Sequence, residues 1–303
     1  MSSWATERTT YTVEVDHSTL RQVLSRPPLG RYLGQLWRRR HFIMVDAHAR
    51  IEVSTSSNLL GKVWLVLEPM MTAAVYFLVF SVILNSGRGI PNFLGYLLIG
   101  IFLFTFTIRS LTQGARAITG GKPLIRSFAF PRASLPLAMV VRETLSFIPV
   151  LVTLMVLLYL MPWVQQLIDP DGLAEFPVVS WRWLLVPGVL VLQWMMNLGL
   201  ALLAARLCAK IPDFVKVISI FSRFWLYGSA VFFSAERFDN IPVVSDLMRV
   251  NPMFIVLDLT RDCLLYGVTP HWTSWVLLGA WSSSLLVTGL VVFWLGEESY
   301  GSA

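Results

Sequence analysis

Residues 116–136 read Arg116-Ala-Ile-Thr-Gly120-Gly121-Lys122-Pro123-Leu124-Ile125-Arg126-Ser-Phe128-Ala-Phe130-Pro131-Arg132-Ala-Ser-Leu135-Pro136. Apolar runs long enough to cross a bilayer flank this stretch on both sides. It carries four basic residues and no acid. Lys and Arg collect in short loops on the cytoplasmic side of membrane proteins, so the sequence predicts that this loop faces the cytoplasm. Gly120, Gly121 and Pro123 break the preceding helix. Leu124, Ile125, Phe128 and Phe130 then form an apolar stripe on a short segment that Pro131 stops. Such a greasy, basic segment suits docking of a soluble partner, and it equally suits lying on anionic headgroups. The residues alone leave both readings open.

The rest of the chain fixes the class. Its 303 residues are 55% hydrophobic and 14% charged, where a soluble domain carries about 25% charged residues. The sequence therefore predicts an all-α integral membrane protein. The net charge of +6 sits mostly in segments assigned to the cytoplasm. It reads as orientation and headgroup contact, not nucleic-acid binding. Cys208 and Cys263 fall at opposite ends of the predicted topology, which argues against a disulfide framework or a metal site. Residues 1–16 lack the apolar core of a signal peptide, so no cleavage is expected there.

In chain order, residues 1–30 form a polar cytoplasmic tail, residues 31–57 an amphipathic interface helix and residues 58–303 the membrane domain. In the helix, Leu33, Leu36, Trp37, Ile43, Met44, Ala47 and Ile51 fall within an arc of about 120°. Arg40 sits inside that arc and Phe42 outside it. A basic amphipathic helix with Trp on its apolar face lies along the membrane surface. Six spans of the ~20 apolar residues a crossing needs are predicted at 63–84, 93–110, 135–161, 181–207, 214–234 and 273–295. The second has room to continue past Arg109 as a buried helix. Nine Lys or Arg in residues 1–62 and five in 109–133, against none in 162–180, place the N-terminus in the cytoplasm. With six spans the C-terminus lies there too. Glu297 and Glu298 carry no weight in that rule. The segment 235–272 is apolar but interrupted by Pro242, Asn251 and Pro252. It reads as re-entrant half-helices before the last span, tolerated where protein or a water-filled cavity covers the broken backbone, or as two helices on the outer leaflet.

Glu68, Arg142, Glu143 and Arg223 fall inside predicted spans. A lone charge there costs about 2.5–3.5 kcal/mol, so each needs a partner or water. Glu68, Arg109, Arg142 and Glu143 lie near the cytoplasmic ends and are predicted to form an ion-pair cluster joining the first three spans. Tyr76, Phe77 and Phe80 on the first span, with Phe221, Phe224, Trp225, Tyr227, Phe232 and Phe233 on the fifth, suit a glycan channel if the two helices share a pore. Otherwise they are ordinary lipid-facing aromatics. There is no G-x-x-x-x-G-K-[ST] phosphate loop, since Gly120-Gly121-Lys122-Pro123 has the wrong length. No nucleophile triad, H-E-x-x-H or catalytic carboxylate pair is present, and the four histidines are scattered.

Three motifs, in this order and spacing, carry a resemblance. They are Leu60-Gly61-x-x-Trp64-x-x-x-x-Pro69, the stretch Leu124-Ile125-Arg126-x-Phe128-x-Phe130-Pro131-Arg132 followed by Leu135-Pro136, and Asn251-Pro252 followed by Arg261. From about Arg31 onward the chain resembles the membrane subunit of bacterial ABC-2 type polysaccharide exporters, the permeases for O-antigen, teichoic acid and capsule precursors. Lys210-Ile211-Pro212-Asp213 departs from an Arg-Asp pair usual there.

The resemblance implies a homodimer in the bacterial plasma membrane that exports a lipid-linked glycan of the O-antigen or galactan kind. It also implies two separate ATPase subunits, with ATP and Mg bound in them and no cofactor in this chain. Lys122, Leu124, Arg126, Phe128, Phe130, Pro131 and Arg132 then become an ATPase-coupling loop. Arg38, Arg39 and Arg40 become contacts for lipid headgroups or the carrier's pyrophosphate. The rival readings are an ABC-2 permease for a small drug or lipid, and an intramembrane glycan-modifying enzyme.

Overall fold

The structure is a computed structural model that describes residues 27–56, 61–79, 90, 92–128, 130–168, 177, 179–234 and 241–300. All regular structure among them is helical. The predicted tail lies almost wholly outside the described residues.

The single interface helix expected from residue 31 is two helices, α1 (Leu29–Arg38) and α2 (Arg40–Ser56). They are broken at Arg39, whose φ of −88° and ψ of 8° leave the helical region. The break lets each half serve a different neighbour. Tyr32 on α1 is buried at the basic end of the core, while α2 lays buried Ile43 and Ala47 toward the sixth helix. Leu33, Trp37 and Met44, placed on the same arc by periodicity, stay exposed. The arc therefore divides between protein and surroundings.

Next come α3 (Trp64–Phe77), α4 (Phe93–Gly120), α5 (Lys122–Ser127), α6 (Ser134–Ile168) and, after a 3-10 turn at Trp181–Leu185, α7 (Val186–Lys210). They are followed by α8 (Phe214–Gly228), α9 (Pro242–Val250), α10 (Pro252–Arg261) with a π turn at Asp262–Tyr266, α11 (Trp272–Leu295) and a final turn at Glu297–Tyr300. Local chemistry sets several boundaries. Asn92 caps α4 by accepting from the Gly95 N–H at 3.0 Å. Asn251 caps α10 by accepting from the Met253 N–H at 3.0 Å, with Pro252 in the first turn where its missing N–H does no harm. Gly121 separates α4 from α5 as the glycine pair predicts.

Among the described residues, four helices are long and apolar enough to cross a bilayer, namely Phe93–Gly120, Ser134–Leu160, Trp181–Lys210 and Trp272–Leu295. The second predicted span does run on past Arg109, to Gly120. The fifth predicted span is shorter than read: α8 has 15 residues and stops at Gly228. At 1.5 Å per residue it reaches about 22 Å, short of the ~30 Å apolar layer. For the first predicted span, α3 ends at Phe77, the chain is described to Val79, and residues 80–89 lie outside the described residues.

α4 and α7 form the buried centre, while α6 and α11 flank it and leave much of their apolar surface exposed. Lipid tails are as apolar as leucine, so helices in a bilayer associate through close van der Waals contact and hydrogen bonds. Small residues allow that here. A Cβ on Gly199 of α7 would sit 2.3 Å from the Leu285 carbonyl oxygen of α11, and one on Gly114 of α4 would sit 2.4 Å from Ala201 Cβ of α7. Gln193 Nε2 adds hydrogen bonds across α7 and α4, donating to the Leu103 carbonyl and to Thr107 Oγ1, each at 2.9 Å. The Gly120, Ser134, Lys210 and Leu295 ends of α4, α6, α7 and α11 gather at one end, here the basic end.

Gly199→Val should force α7 and α11 apart, costing about 1–3 kcal/mol or more and lowering the thermal transition of the detergent-purified protein. Gly279→Val, on the same α11 but with no atom within 4 Å, should not. Equal transitions for the two variants would contradict this packing.

Candidate functional site

At the basic end, the residues predicted as one docking segment divide. Lys122, Arg126 and Phe128 are exposed, with Phe128 66% accessible on extended backbone just past α5. Leu124 and Phe130 are half-buried, and Ile125 is buried in the core. Pro131 and Arg132 are buried, so within the predicted coupling loop they face the fold. Phe130 meets Phe42 of α2 with ring centroids 6.1 Å apart. Phe42 falls outside the apolar arc because it faces this segment.

Arg132 turns inward because Glu297 is there. Glu297 Oε1 accepts from the Arg132 backbone N–H at 2.9 Å, and Oε2 accepts from the Tyr32 hydroxyl at 2.8 Å. The Tyr32 oxygen in turn accepts from the Ala133 N–H at 3.1 Å, and the Arg132 guanidinium donates to the Glu297 carbonyl. Arg206, at the end of α7, donates to the Gly296 carbonyl at 3.4 Å and lies over the Tyr300 ring. One carboxylate thus binds the interface helix, the exit of the basic segment and the C-terminal turn into a single junction. Sequence reasoning missed both Tyr32 and Glu297, since no periodicity marks a pairing across 265 positions. Burial pushes the Glu297 carboxyl up, against the opposing pull of the Arg132 N–H, the Tyr32 hydroxyl and the Arg132 charge. Burial, and then the Glu297 charge, push the Tyr32 phenol up.

Arg38, Arg39 and Arg40 are exposed, and the Arg40 guanidinium lies 5.4 Å from the Trp37 ring centroid. Of the predicted ion-pair cluster, Arg109 Nη2 stands 2.6 Å from Glu68 Oε2, joining α4 to α3. Arg142 pairs at 3.1 Å with its own neighbour Glu143, within α6, so that pair joins no helices. It also lacks hydrogen-bond alignment, leaving Glu143 Oε1 without a hydrogen-bond partner. Arg109, Glu143 and Pro69 nevertheless border one small cleft, which brings α3, α4 and α6 together.

At the far end, α8 stops and the chain turns through Ala230 with φ of 51°. Asn251 holds this turn with both polar atoms of its side chain. Its Oδ1 accepts from Trp225 Nε1 at 2.9 Å and from the Met253 N–H. Its Nδ2 donates to the Gly228 carbonyl at 2.9 Å and to Ser229 Oγ at 3.0 Å. Arg261, 2% exposed, donates at 3.2 Å to the Ala230 and Tyr96 carbonyls, and its guanidinium stacks 3.3 Å from the Tyr96 ring centroid. The Tyr96 hydroxyl lies 2.8 Å from the Ala230 and Phe233 carbonyls. The segment before the last helix is thus a helical hairpin. Its first arm, α9, exposes Val243 and Leu247, and its second arm, α10, is buried.

The predicted channel aromatics also divide. Tyr76 packs on Phe232 with centroids 4.7 Å apart, so α3 reaches the turn after α8. Phe232 is fully buried in the fold, while Trp225 is half-buried and its indole N–H is engaged by Asn251. Phe77 and Phe233 are half-buried, and Phe80 lies outside the described residues. Phe221, Phe224 and Tyr227 are exposed on α8 beside Val217, Ile220 and Arg223.

Two predictions follow from these junctions. A raised carboxyl pKa means that the folded protein binds the Glu297 proton more tightly than the unfolded chain does. Its contribution to stability is full below the ordinary carboxylate range and is lost as pH rises through the folded value. A pH series of melting curves should show this slope, and Glu297→Gln should flatten it. Separately, Asn251→Asp keeps the two accepted bonds but faces the Gly228 carbonyl with an oxygen. It should destabilise by about 1–3 kcal/mol, read as a lower melting transition, and an unchanged transition would contradict the arrangement around Gly228.

No protein-family model matches the chain. The chain is similar to the O-antigen export system permease protein RfbA of Myxococcus xanthus, 23% identical over 273 residues, which covers 90% of this chain and 99% of that protein. It is also similar to an O-antigen export system permease protein RfbA of Klebsiella pneumoniae, 23% identical over 255 residues, covering 84% of this chain and 88% of that protein. A second Klebsiella pneumoniae protein of the same name is 21% identical over 255 residues. These likenesses run nearly end to end, and they bear out the resemblance read from the three motifs: the chain is similar to ABC-2 type permease subunits of O-antigen export systems.

Proposed function

We propose that this chain is the membrane-spanning subunit of an ATP-driven exporter that moves a lipid-linked polysaccharide, of the O-antigen or galactan kind, out of the cytoplasm. The observation that carries the reading is the similarity to O-antigen export permeases along 84–90% of the chain. In this reading α3 and α8 belong to the first and fifth of six spans, both termini are cytoplasmic, and α9 and α10 are the re-entrant half-helices. Two copies form the conduit, with the exposed α8 face of Phe221, Phe224 and Tyr227 turned toward it. Two separate ATPase subunits bind ATP and Mg and press on the exposed Lys122, Arg126 and Phe128.

The geometry supports that division of labour. Exposed Phe128 and Arg126 lie a few residues from a junction that grips α1, α6 and the C-terminal turn. A push on α5 therefore meets a braced element rather than a loose loop. Arg38, Arg39 and Arg40 are placed on the interface helix to meet a phosphate-bearing headgroup, whether of a bulk lipid or of the glycan carrier.

Depleting the protein should accumulate lipid-linked glycan inside the cell, identified by the sugars released from the lipid extract. Paired substitutions Arg126→Glu and Phe128→Glu should abolish copurification of the ATPase subunit while leaving the chain's own melting transition in place. Normal glycan export after depletion would defeat the reading.

A further inference from the structure

The far end holds a cavity of about 640 Å³, within the ~300–1,000 Å³ usual for small-ligand sites. Phe254, Asp258, Asp262 and Tyr266 recur every fourth residue along α10 and its π turn, and all four line one wall. Thr273 and Ser274, in the first turn of α11, contribute hydroxyls to the lining. Arg249 from the end of α9 adds a guanidinium. Arg261 and Tyr96, which hold the Ala230 turn, also line it, beside the apolar Ile90, Ile255 and Leu277.

We propose that this cavity is a binding site for a neutral saccharide unit of the exported chain, an inference that rests on the export reading above. Three features select that ligand class. Two aspartates and two arginines line the cavity, and burial, then the Asp258 charge, push the Asp262 carboxyl up to about 7, so the lining mixes both signs and presents no cluster of one charge for a metal cation or a phosphate. Ionised carboxylates accept, guanidiniums donate and the Thr and Ser hydroxyls do both, which matches the dense alternation of donors and acceptors on a sugar ring. Phe254 and Tyr266 flank the polar groups, and their negative ring faces attract the polarised C–H face of a pyranose or furanose. A sugar seated here touches Arg261 and Tyr96, the groups that hold the turn after α8.

The test uses the full chain in lipid nanodiscs and, as probe, the lipid-free oligosaccharide released from the glycan that accumulates on depletion. Saturation-transfer NMR should detect binding to the wild type. Ser274→Trp, which fills the cavity, and Asp262→Asn, which removes one acceptor charge, should each weaken it at least tenfold with unchanged melting transitions. Thr273→Val replaces Ser274→Trp if the tryptophan variant does not fold. Inorganic pyrophosphate and calcium should not compete. Absence of wild-type binding, equal binding by the variants, or competition by either ion overturns the saccharide site and leaves the export reading standing. Failure of any glycan to accumulate on depletion removes the export reading, and the saccharide site with it.

Discussion

The carbonyls at the end of a helix need partners wherever they are buried away from water, and each one left unsatisfied costs about 1–3 kcal/mol. Much of this fold is arranged around that constraint. α8 stops at Gly228, about 22 Å from its start by helical rise. The carbonyls of Gly228, Ala230 and Phe233 are met by Asn251, Arg261 and Tyr96. These three come from the hairpin and from the start of α4. The broken backbone thus ties the central helix to the hairpin, and two of these residues, Arg261 and Tyr96, also border the far-end cavity. Asn-Pro followed by Arg is therefore a structural device. Asn251 caps one helix and closes another, Pro252 starts the first turn without a wasted donor, and Arg261 reaches two carbonyls where a lysine's point charge lacks the planar fork to do so.

The basic end answers a different need. The interface helix, the basic segment and the C-terminal turn share an apolar cluster with the bundle, to which Tyr32, Ile125 and Tyr300 belong and against which Phe130 packs. Glu297 adds directed bonds among them. Directed bonds with a buried carboxylate fix geometry more than they add stability, because burial of the charge offsets part of the gain. The centre of the molecule is held in a third way, by glycines and alanines that let α4, α7 and α11 approach closely.

Much of the fold is legible from hydropathy and punctuation. α4, α6, α7 and α11 each contain a predicted span, and Gly120-Gly121-Lys122-Pro123 places a break that the backbone makes. Less of the candidate site is legible. Lys122, Arg126 and Phe128 are exposed as a docking surface requires, but Arg132, which looks the same in sequence, is buried. The nine aromatics read as one set include Phe232 with no exposure and Phe224 with 71%. Composition cannot separate these cases, since an arginine beside a loop and an aromatic beside a span each have the same local signature whichever way they face.

The sequence by itself determined the class, the placement of most long helices, the basic end and the three motifs, because burial in a bilayer demands runs of apolar residues that survive in one dimension. The tertiary structure alone decided which polar groups meet. Tyr32 with Glu297 and Asn251 with Gly228 are pairings over long or irregular separations. A hydrogen bond depends on distance and direction in space, and neither is written in the order of residues along the chain.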